Sequence, residues 1–290
     1  WALMTTGQPR SRAMATASVL PSPLATGEET WQPYNKLVLA PGASPLRPPL
    51  PGIDHPRVHT LRSLQDMDRL KAASADARRV VVIGAGFIGL EMVEQFIHLK
   101  KEVALVELLD QLLPPLDKPM TLLMEDELKR HGVELHLGDA IAGFAPACGA
   151  LACQLKSGRS LPADLVVLAI GVRPETALAK AAGLALGPRG HIRTDAFLRT
   201  DDPDIYAAGD AAEIRDFATG EPTAVPLGGP ANRQGRAIAD HIFRPAETKP
   251  IPGALGTAIV RAFDVAAGLT GTMLSAALQN PWVLGGFALV

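Results

Sequence analysis

Three glycines in the first half of the chain have the spacing of a phosphate-binding turn. Gly84, Gly86 and Gly89 form a Gly-x-Gly-x-x-Gly pattern directly after the apolar run at residues 80–83. In this pattern the first glycine allows a tight turn, the second lets the backbone approach a pyrophosphate, and the third lets a helix pack closely on the strand. The start of the helix offers free N–H groups and the positive end of the helix dipole to phosphates. The expected contacts run through Gly84, Ala85, Gly86, Phe87, Ile88 and Gly89.

A carboxylate follows at the distance that a dinucleotide site needs. A second apolar strand is predicted at residues 102–106, and Glu107 comes directly after it, 18 positions beyond Gly89. An acid at this point can accept hydrogen bonds from both hydroxyls of an adenosine ribose. It would also repel a 2′-phosphate, and the next two residues, Leu108 and Leu109, carry no compensating positive charge. The sequence therefore predicts an NAD site that prefers NADH to NADPH.

The strands and helices that must position these residues alternate along the chain. Continuous apolar runs at residues 80–83 and 165–170 predict parallel strands that are buried on both faces. Residues 102–106 and 133–137 predict two further strands. Residues 141–161 predict short antiparallel strands. This pattern indicates an α/β fold with a parallel sheet, helices and a small antiparallel β-meander. Helical periodicity predicts two buried stripes, one formed by Ile88, Met92, Phe96 and Leu99 and the other by Met120, Leu123, Met124 and Leu128.

Composition excludes several classes of partner. The 290 residues are 47% hydrophobic and 20% charged, enough for about two domains with their own cores. A net charge of −2 gives no general attraction to nucleic acid or anionic membrane. No apolar run reaches the roughly 18 residues of a membrane span. The two cysteines make no disulfide framework, so we expect a protein of the reducing cytoplasm.

A proline-rich segment separates an early strand from the glycine motif. Residues 34–40 predict a strand, and six prolines then fall between Pro41 and Pro56. Because proline fixes φ and removes a backbone donor, this segment is neither a helix nor a central strand. We expect a stiff connector between two domains. Residues 1–23 show no sustained period, and we expect them to be irregular.

Four segments of the chain combine into one signature. They are residues 39–43, the unit from Gly84 to Glu107, residues 169–174, and residues 200–210, which end in Gly209-Asp210. Together they resemble the pyridine nucleotide-disulfide oxidoreductase family of FAD- and NAD(P)H-dependent flavoproteins. Residues 226–235 make the chain similar to the coenzyme A-disulfide reductase, NADH oxidase and NADH peroxidase group within it. The resemblance covers roughly residues 24–270.

The resemblance implies a Rossmann-like NAD domain inserted into an FAD domain. Residues 24–56 would be the first FAD part and the crossover, 57–175 the NAD(P)-binding domain, and 176–245 the return segment of the FAD domain. Residues 246–290 would be a linker and the truncated start of an α+β dimerisation domain. A homodimer is expected for the full-length protein.

The resemblance also implies roles for residues near a flavin. Asp210 would accept a hydrogen bond from the ribityl chain of FAD, with Gly209 permitting close approach. The crossing segment at Ala40, Pro41 and Gly42 would pass near the flavin. A helix that follows Pro226, Leu227 and Gly228 would direct its N-terminus at the pyrimidine side of the isoalloxazine ring, where a positive dipole end stabilises the reduced anion.

Three more residues would lie near the nicotinamide. Phe87 would gate its pocket, and Gly171 would border the nicotinamide or its ribose, unless Gly171 is only a strand-end turn. Glu91 would lie near the ring or would simply be a solvated or helix-capping carboxylate.

Two familiar features of the family are not in the sequence. The glycine motif for FAD that opens the family, and the redox cysteine that follows it in disulfide-active members, are missing. Cys148 and Cys153 have the C-x₄-C spacing of disulfide reductases but lie in a predicted hairpin of the NAD domain, so we expect a structural or incidental role. His98 and His131, at or near helix ends, are expected to be surface residues. No residue set has metal-ligand spacing, and no catalytic residue is assigned.

The expected activity is hydride transfer from NADH to a flavin. The flavin would then reduce a disulfide, a persulfide, a peroxide or dioxygen, and the substrate would be a small molecule or a small thiol. Two alternatives remain open. One is a flavoprotein similar to ferredoxin or rubredoxin reductases. The other is a non-catalytic, NAD-binding fragment that lacks the FAD adenosine site.

Overall fold

The computed structural model describes residues 34–147 and 149–271, together with the backbone of two short strands at residues 2–4 and 286–289. The chain forms two compact units. One unit consists of Trp1–Ala43 and Pro174–Gly256 and is called the flanking unit below. The other consists of Ser44–Arg173 and Thr257–Val290 and is called the central unit.

Helices and strands alternate between residues 58 and 137, and most of the remaining elements are strands. The helices are α1 (Leu64–Asp76), α2 (Phe87–His98), α3 (Lys118–Arg130), α4 (Ala177–Ala181) and α5 (Gly228–Phe243). The strands are β1 (Ala2–Met4), β2 (Lys36–Leu39), β3 (Ala43–Pro45), β4 (Val58–Thr60), β5 (Arg79–Ile83), β6 (Glu102–Glu107), β7 (Glu134–Leu137), β8 (Ile141–Ala147), β9 (Ala150–Leu155), β10 (Ser160–Ala163), β11 (Leu165–Leu168), β12 (Val172–Pro174), β13 (Ile205–Ala207), β14 (Ile214–Arg215), β15 (Pro222–Thr223), β16 (Ala258–Ala262), β17 (Val265–Thr270) and β18 (Gly286–Leu289).

The central unit is built on a five-stranded parallel sheet. Its strand order is β4-β11-β5-β6-β7, and every neighbouring pair is parallel. Strand β5 lies in the middle, and its residues 80–83 are almost completely buried. This burial explains why β5 is apolar without alternation, since both faces of the strand are covered. The α/β fold predicted from the apolar runs is confirmed.

Helices α1, α2 and α3 belong to the central unit. Helix α1 begins with a capping box, in which Ser63 and Asp66 satisfy each other's backbone N–H groups. On α2 the predicted stripe is partly wrong, because Ile88 and Leu99 are exposed while Leu90 and Val93 are fully buried. The cause is Gly89, which must face the turn after β5. Val93, four residues later on the same face of the helix, is therefore buried, whereas Ile88 lies outside that face.

The predicted stripe of α3 is also partly wrong. Met124 and Leu128 are buried as expected, but Leu123 is exposed. Two glutamates, Glu125 and Glu127, are buried in its place. Hydrophobic periodicity cannot place a buried carboxylate, because such a group needs specific donors from elsewhere in the fold.

Two antiparallel sheets complete the central unit. Strands β8, β9 and β10 form a meander, as the sequence predicts, and enclose a second core that includes Phe144, Leu151 and Cys153. Strands β16, β17 and β18 form the other sheet. The β16–β17 hairpin contributes Val260, Ala262 and Phe263 to the main core beside α2 and α3.

The flanking unit has a three-stranded sheet with the order β1-β2-β13. Strands β2 and β13 are parallel, and β1 pairs with β2 in the antiparallel direction. The expectation of irregular structure at residues 1–23 is therefore wrong for Ala2–Met4, since three residues are too few to show a period. The rest of that expectation lies outside the described residues. Helix α5 packs on this unit through Ile238, which is buried with Tyr206 and Ala208.

No helix among the described residues combines the length and the apolar character that crossing a membrane requires.

Candidate functional site

Two glycine-containing turns and one acid meet at the carboxyl edge of the central sheet. Gly84 follows β5, Glu107 ends β6 and Gly171 follows β11. Because β11, β5 and β6 are adjacent and parallel, these ends emerge side by side. This edge is where open α/β sheets bind ligands.

The first glycine of the motif has no room for a side chain. Gly84 has φ of +103°, and a Cβ placed on it would lie 2.4 Å from the carbonyl oxygen of Ala169. A Cβ on Gly89 would lie 1.9 Å from the carbonyl oxygen of Gly84. Helix α2 therefore touches the turn directly, as the motif predicts.

The middle of the motif, in contrast, faces open space. No heavy atom lies within 4 Å of the position that a Cβ on Gly86 would occupy. Gly86 is the N-cap of α2, and neither a capping side chain nor an acidic residue is found in the first turn of the helix. The amides at the start of α2 are thus available to an anion, with a favourable helix dipole.

Glu107 is held against the glycine turn. It is only 9% exposed. Its Oε2 accepts a hydrogen bond of 2.7 Å from the backbone N–H of Ala85, and its Oε1 accepts one of 2.9 Å from Leu109. Each carboxylate oxygen has a second lone pair, so the group can also accept hydrogen bonds from ribose hydroxyls. The sequence identifies Glu107 as a ligand residue but does not reveal that it also holds the turn.

The remaining predicted residues of the central unit lie at or near the same edge. Phe87 is half-buried and packs against the main core, whereas Ile88 and Glu91 are exposed on α2. Gly171 has φ of +112°, and its carbonyl oxygen accepts a hydrogen bond of 3.0 Å from the N–H of Leu46. Their predicted roles at the nicotinamide stay predictions.

The flanking unit has a carboxyl edge of its own. Strands β2 and β13 run in parallel, with Leu39 opposite Ala207. They lead into two predicted segments, Ala40-Pro41-Gly42 and Gly209-Asp210, which the fold brings side by side. The N–H of Ala208 donates to the carbonyl oxygen of Leu39 at 2.9 Å. Gly209 has φ of +75° and begins a short 3-10 turn with the half-buried Asp210.

Helix α5 starts at the third predicted segment of this unit. Leu227 is its N-cap, and its side chain makes no hydrogen bond to the first backbone N–H groups of the helix. The first turn also has no acidic residue. Pro226 is exposed and Gly228 borders open space, since no heavy atom lies within 4 Å of the position that a Cβ on Gly228 would occupy. The N-terminus of α5 is thus open to an electron-rich ligand group.

One residue of this region was not found from the sequence. Gln234 on α5 is buried at 4% exposure, and its side-chain oxygen accepts a hydrogen bond of 2.7 Å from the N–H of Gly209. The only signal available in the sequence is that a polar residue stands one turn before Ile238 on the buried face of α5.

The burial of Cys153 supports the expectation that this cysteine has a structural or incidental role. Cys153 lies in β9 and is completely buried. Burial raises the pKa of its thiol to about 12, which leaves almost no thiolate at neutral pH. Cys148 lies outside the described residues.

A group of carboxylates and a histidine beside the β16–β17 hairpin was also not predicted. Ligand atoms of Glu127, His131 and Asp264 lie within 4.8 Å of one another. The N–H of Asp264 donates to Glu127 at 3.2 Å, and this bond, with Arg130 and His131 nearby, lowers the pKa of the Glu127 carboxyl despite its burial. His131, expected as a plain surface residue, stacks on Phe263 with ring centroids 3.7 Å apart.

Comparison with known proteins decides the family. Residues 6–234 match the family described as pyridine nucleotide-disulphide oxidoreductase. The chain belongs to this family. It is 34% identical over 259 residues to the NADH oxidase of Enterococcus faecalis, an alignment that covers 89% of this chain and 57% of that enzyme. The chain thus spans little more than half the length of this curated relative.

Solved structures of family relatives share the fold. The reduced CoADR-RHD of Bacillus anthracis is 42% identical with a TM-score of 0.83, covering 88% of this chain and 46% of that one. An engineered water-forming NADPH oxidase bound to NADPH, a mutant of the Lactobacillus brevis NADH oxidase, is 31% identical with a TM-score of 0.83, covering 88% and 56%.

The positions replaced in that engineered oxidase have a pattern that recurs here. The first is a glycine, and an aspartate follows it eighteen positions later. The two residues directly after the aspartate are also replaced, and the last position is a proline five residues beyond the second of these two. The same residue spacing in this chain falls on Gly89, Glu107, Leu108, Leu109 and Pro114.

Proposed function

We propose that the whole protein is an FAD-dependent oxidoreductase that takes a hydride from NADH and passes electrons to a disulfide, a persulfide, a peroxide or dioxygen. The observation that carries this proposal is the position of Glu107, bonded to the N–H of Ala85 inside the glycine turn. The relatives named above as an NADH oxidase and as CoADR-RHD support the same class of activity.

In the central unit, residues of the turn would hold NADH. The uncapped amides of α2 and the open space at Gly86 suit a pyrophosphate. Glu107 would accept hydrogen bonds from the adenosine ribose, and its charge would repel a 2′-phosphate. The engineered relative, which is bound to NADPH, replaces an acid at the corresponding spacing, which supports the assignment of Glu107 as the discriminating residue.

In the flanking unit, the carboxyl edge of β2 and β13 would hold the flavin. Asp210 would accept a hydrogen bond from the ribityl chain, and Ala40, Pro41 and Gly42 would line the flavin on the adjacent strand end. The free N-terminus of α5, beginning at Gly228, would stabilise negative charge on a reduced flavin.

The donor sets fit these two groups. Each edge combines a left-handed glycine, an uncapped helix N-terminus and a carboxylate, which together suit phosphates and polyols rather than a metal ion. When bound, the flavin accepts the hydride and delivers electrons onward. The protein residues bind, orient and tune the cofactors, and we assign no proton-transfer residue.

A second function is favoured by one observation, namely that the chain covers only 57% of its NADH oxidase relative. By itself the chain would then be a nucleotide-binding protein without turnover. The purified chain distinguishes the two cases. A visible flavin spectrum that NADH bleaches supports a working flavin site. If the chain is colourless but binds NADH in calorimetry, only the central unit binds its cofactor. A chain that binds neither cofactor would contradict the proposal.

We further infer a small-molecule or small-thiol substrate, a homodimer for the whole protein and a cytoplasmic location. The net charge of −2 supports the absence of nucleic-acid partners. Light scattering on the full-length protein tests the dimer, since a monomer at micromolar concentration would exclude it.

A further inference from the structure

Gln234 is a buried amide in a position that packing alone does not explain. It lies on the inner face of α5 with 4% exposure, between Ala231 and the fully buried Ile238. Burying an amide without hydrogen bonds is unfavourable, so a leucine or methionine would suit a purely apolar contact better. The side chain must therefore gain from a specific partner.

That partner is the first residue of the Gly209-Asp210 pair. The side-chain oxygen of Gln234 accepts the 2.7 Å hydrogen bond from the N–H of Gly209. One helical turn earlier, the Cβ of Ala231 lies 3.8 Å from the position that a Cβ on Gly209 would occupy. Ala231 and Gln234, on one face of α5, thus contact the 3-10 turn Gly209–Ala211 at its first residue.

At its far end this turn is restrained by a hydrogen bond of 2.8 Å from the N–H of Ile192 to the carbonyl oxygen of Ala211, whereas its start depends on Gly209. Gly209 has φ of +75°, a conformation that glycine enters and leaves at little cost. Its carbonyl oxygen is bound locally by the N–H of Ala212 at 3.0 Å. The N–H of Gly209 ties the turn to another element, because Gln234 accepts its hydrogen bond.

The same helix presents its open N-terminus to ligands. Gln234 stands six residues after Gly228, or about 9 Å along the axis at about 1.5 Å per residue. The hydrogen bond between Gly209 and Gln234 therefore connects the 3-10 turn that contains Asp210 with the helix that would place a positive dipole end at the flavin.

We propose that Gln234 is a positioning residue for the flavin site, which fixes the Asp210 turn in register with the N-terminus of α5. The proposal rests on the proposed FAD role of Asp210. It makes Gln234 responsible for flavin affinity without any contact between its side chain and the flavin.

Three variants separate this role from simple packing. Gln234→Met keeps the length and volume of the side chain but removes the acceptor. Gln234→Glu keeps an oxygen that can accept from Gly209. Ile238→Val removes one methylene from the same buried face, four residues away, and leaves the bond to Gly209 in place, so it controls for a general loss of stability.

The first measurement is amide hydrogen exchange at Gly209 in the chain without cofactor. We expect Gln234→Met to increase the exchange rate at Gly209 by roughly ten- to hundredfold, as the loss of one buried hydrogen bond predicts. Gln234→Glu and Ile238→Val should leave Gly209 protected. Equal protection in the Met variant and the unaltered chain would overturn the proposal.

The second measurement is FAD affinity in the full-length protein, by flavin fluorescence. We expect Gln234→Met to weaken FAD binding by roughly tenfold or more, while Ile238→Val stays within about twofold. Met and Val variants with equal FAD affinity would overturn the proposal. If the unaltered full-length protein bound no FAD, the proposed function itself would fail, and the Gly209 exchange data would still decide whether Gln234 holds the turn.

Discussion

Glu107 gives the sharpest test of the nucleotide site, because it has two separable properties. Its carboxylate is a negative charge beside the expected ribose, and it is also the acceptor for the N–H groups of Ala85 and Leu109. Glu107→Gln removes the charge and keeps one acceptor oxygen. Glu107→Ala removes the charge and both acceptors, so the two variants should differ if the structural role is real.

The expected magnitudes follow from the hydrogen bonds. A hydrogen bond to a charged group contributes about 1.5–3 kcal/mol, and Ala85 is fully buried within the turn. We expect Glu107→Ala to lower the free energy of unfolding by about 2–4 kcal/mol and Glu107→Gln by about half of that. NADH should bind roughly tenfold more weakly to the Gln variant, and more weakly still to the Ala variant.

NADPH affinity distinguishes the two properties. Removing the charge relieves repulsion of the 2′-phosphate, so NADPH should bind better to Glu107→Gln than to the unaltered chain. Glu107→Ala should gain less, because its turn has lost two restraints. Titration calorimetry with both nucleotides and urea unfolding provide the values, and Glu102→Gln at the exposed start of the same strand is the control.

The reasoning would be refuted by either of two results. One is an Ala variant with unaltered stability and an NADH affinity within about twofold of the starting chain. The other is equal NADPH affinity in the Gln and Ala variants, which would mean that the hydrogen bonds to the turn have no influence on binding.

Three further outcomes are expected. Gly84→Ala should destabilise the chain by about 3 kcal/mol or more in thermal unfolding and abolish NADH binding. The reason is that the added Cβ would lie 2.4 Å from a carbonyl oxygen. A soluble variant with normal NADH affinity would contradict this expectation. Asp164 accepts a side-chain hydrogen bond from Arg79, which with the neighbouring backbone N–H groups holds its pKa at about 2 against the usual 3.8. The folded pKa is the lower one, so the stabilisation is complete above about pH 5 and is lost as the pH falls through about 2. Asp164→Asn should therefore lower the free energy of unfolding by about 1 kcal/mol at about pH 7 and by almost nothing at about pH 2. The value at about pH 7 is kept small because the ion pair is partly exposed. A loss of stability that did not change with pH would exclude the charge as its cause. In a Cys148→Ser background, Cys153 should react with a thiol reagent at mildly alkaline pH only after unfolding, because burial raises the pKa of its thiol to about 12; rapid labelling of the folded chain would show that β9 opens.

The local unit from β5 to Glu107 could be predicted from the sequence because its rules are local. The turn needs glycines at set positions, the strand needs apolar residues on both faces, and the acid must follow the next strand. Each requirement concerns residues close together in the chain, and the structure has each of these elements where the sequence predicts it.

The parts that could not be predicted depend on partners far away in the chain. Gln234 is buried because Gly209, 25 residues earlier, offers it a donor. Glu94 and Glu127 are buried because the backbone of Phe263 and Asp264 reaches them from a segment that follows the flanking unit in the chain. A periodicity that counts glutamate as polar places both residues on the solvent side. On α3 this error led to the prediction that Leu123 is buried, whereas Glu127 is buried and Leu123 is exposed.

The β16–β17 hairpin has a consequence for the order in which the chain can fold during synthesis. The main core of the central unit includes Val260 and Phe263, and Glu94 receives a donor from Phe263 only when the hairpin is in place. The flanking unit, however, is complete in sequence by Gly256. Although most of the central unit leaves the ribosome before residue 174, its packing can be finished only after the flanking unit has been made. Until then Glu94 and Glu127 lack the backbone donors that Phe263 and Asp264 supply, although Glu127 keeps Arg130 as a partner on its own helix. An NADH-ready central unit is therefore expected to be the last part of the described chain to mature.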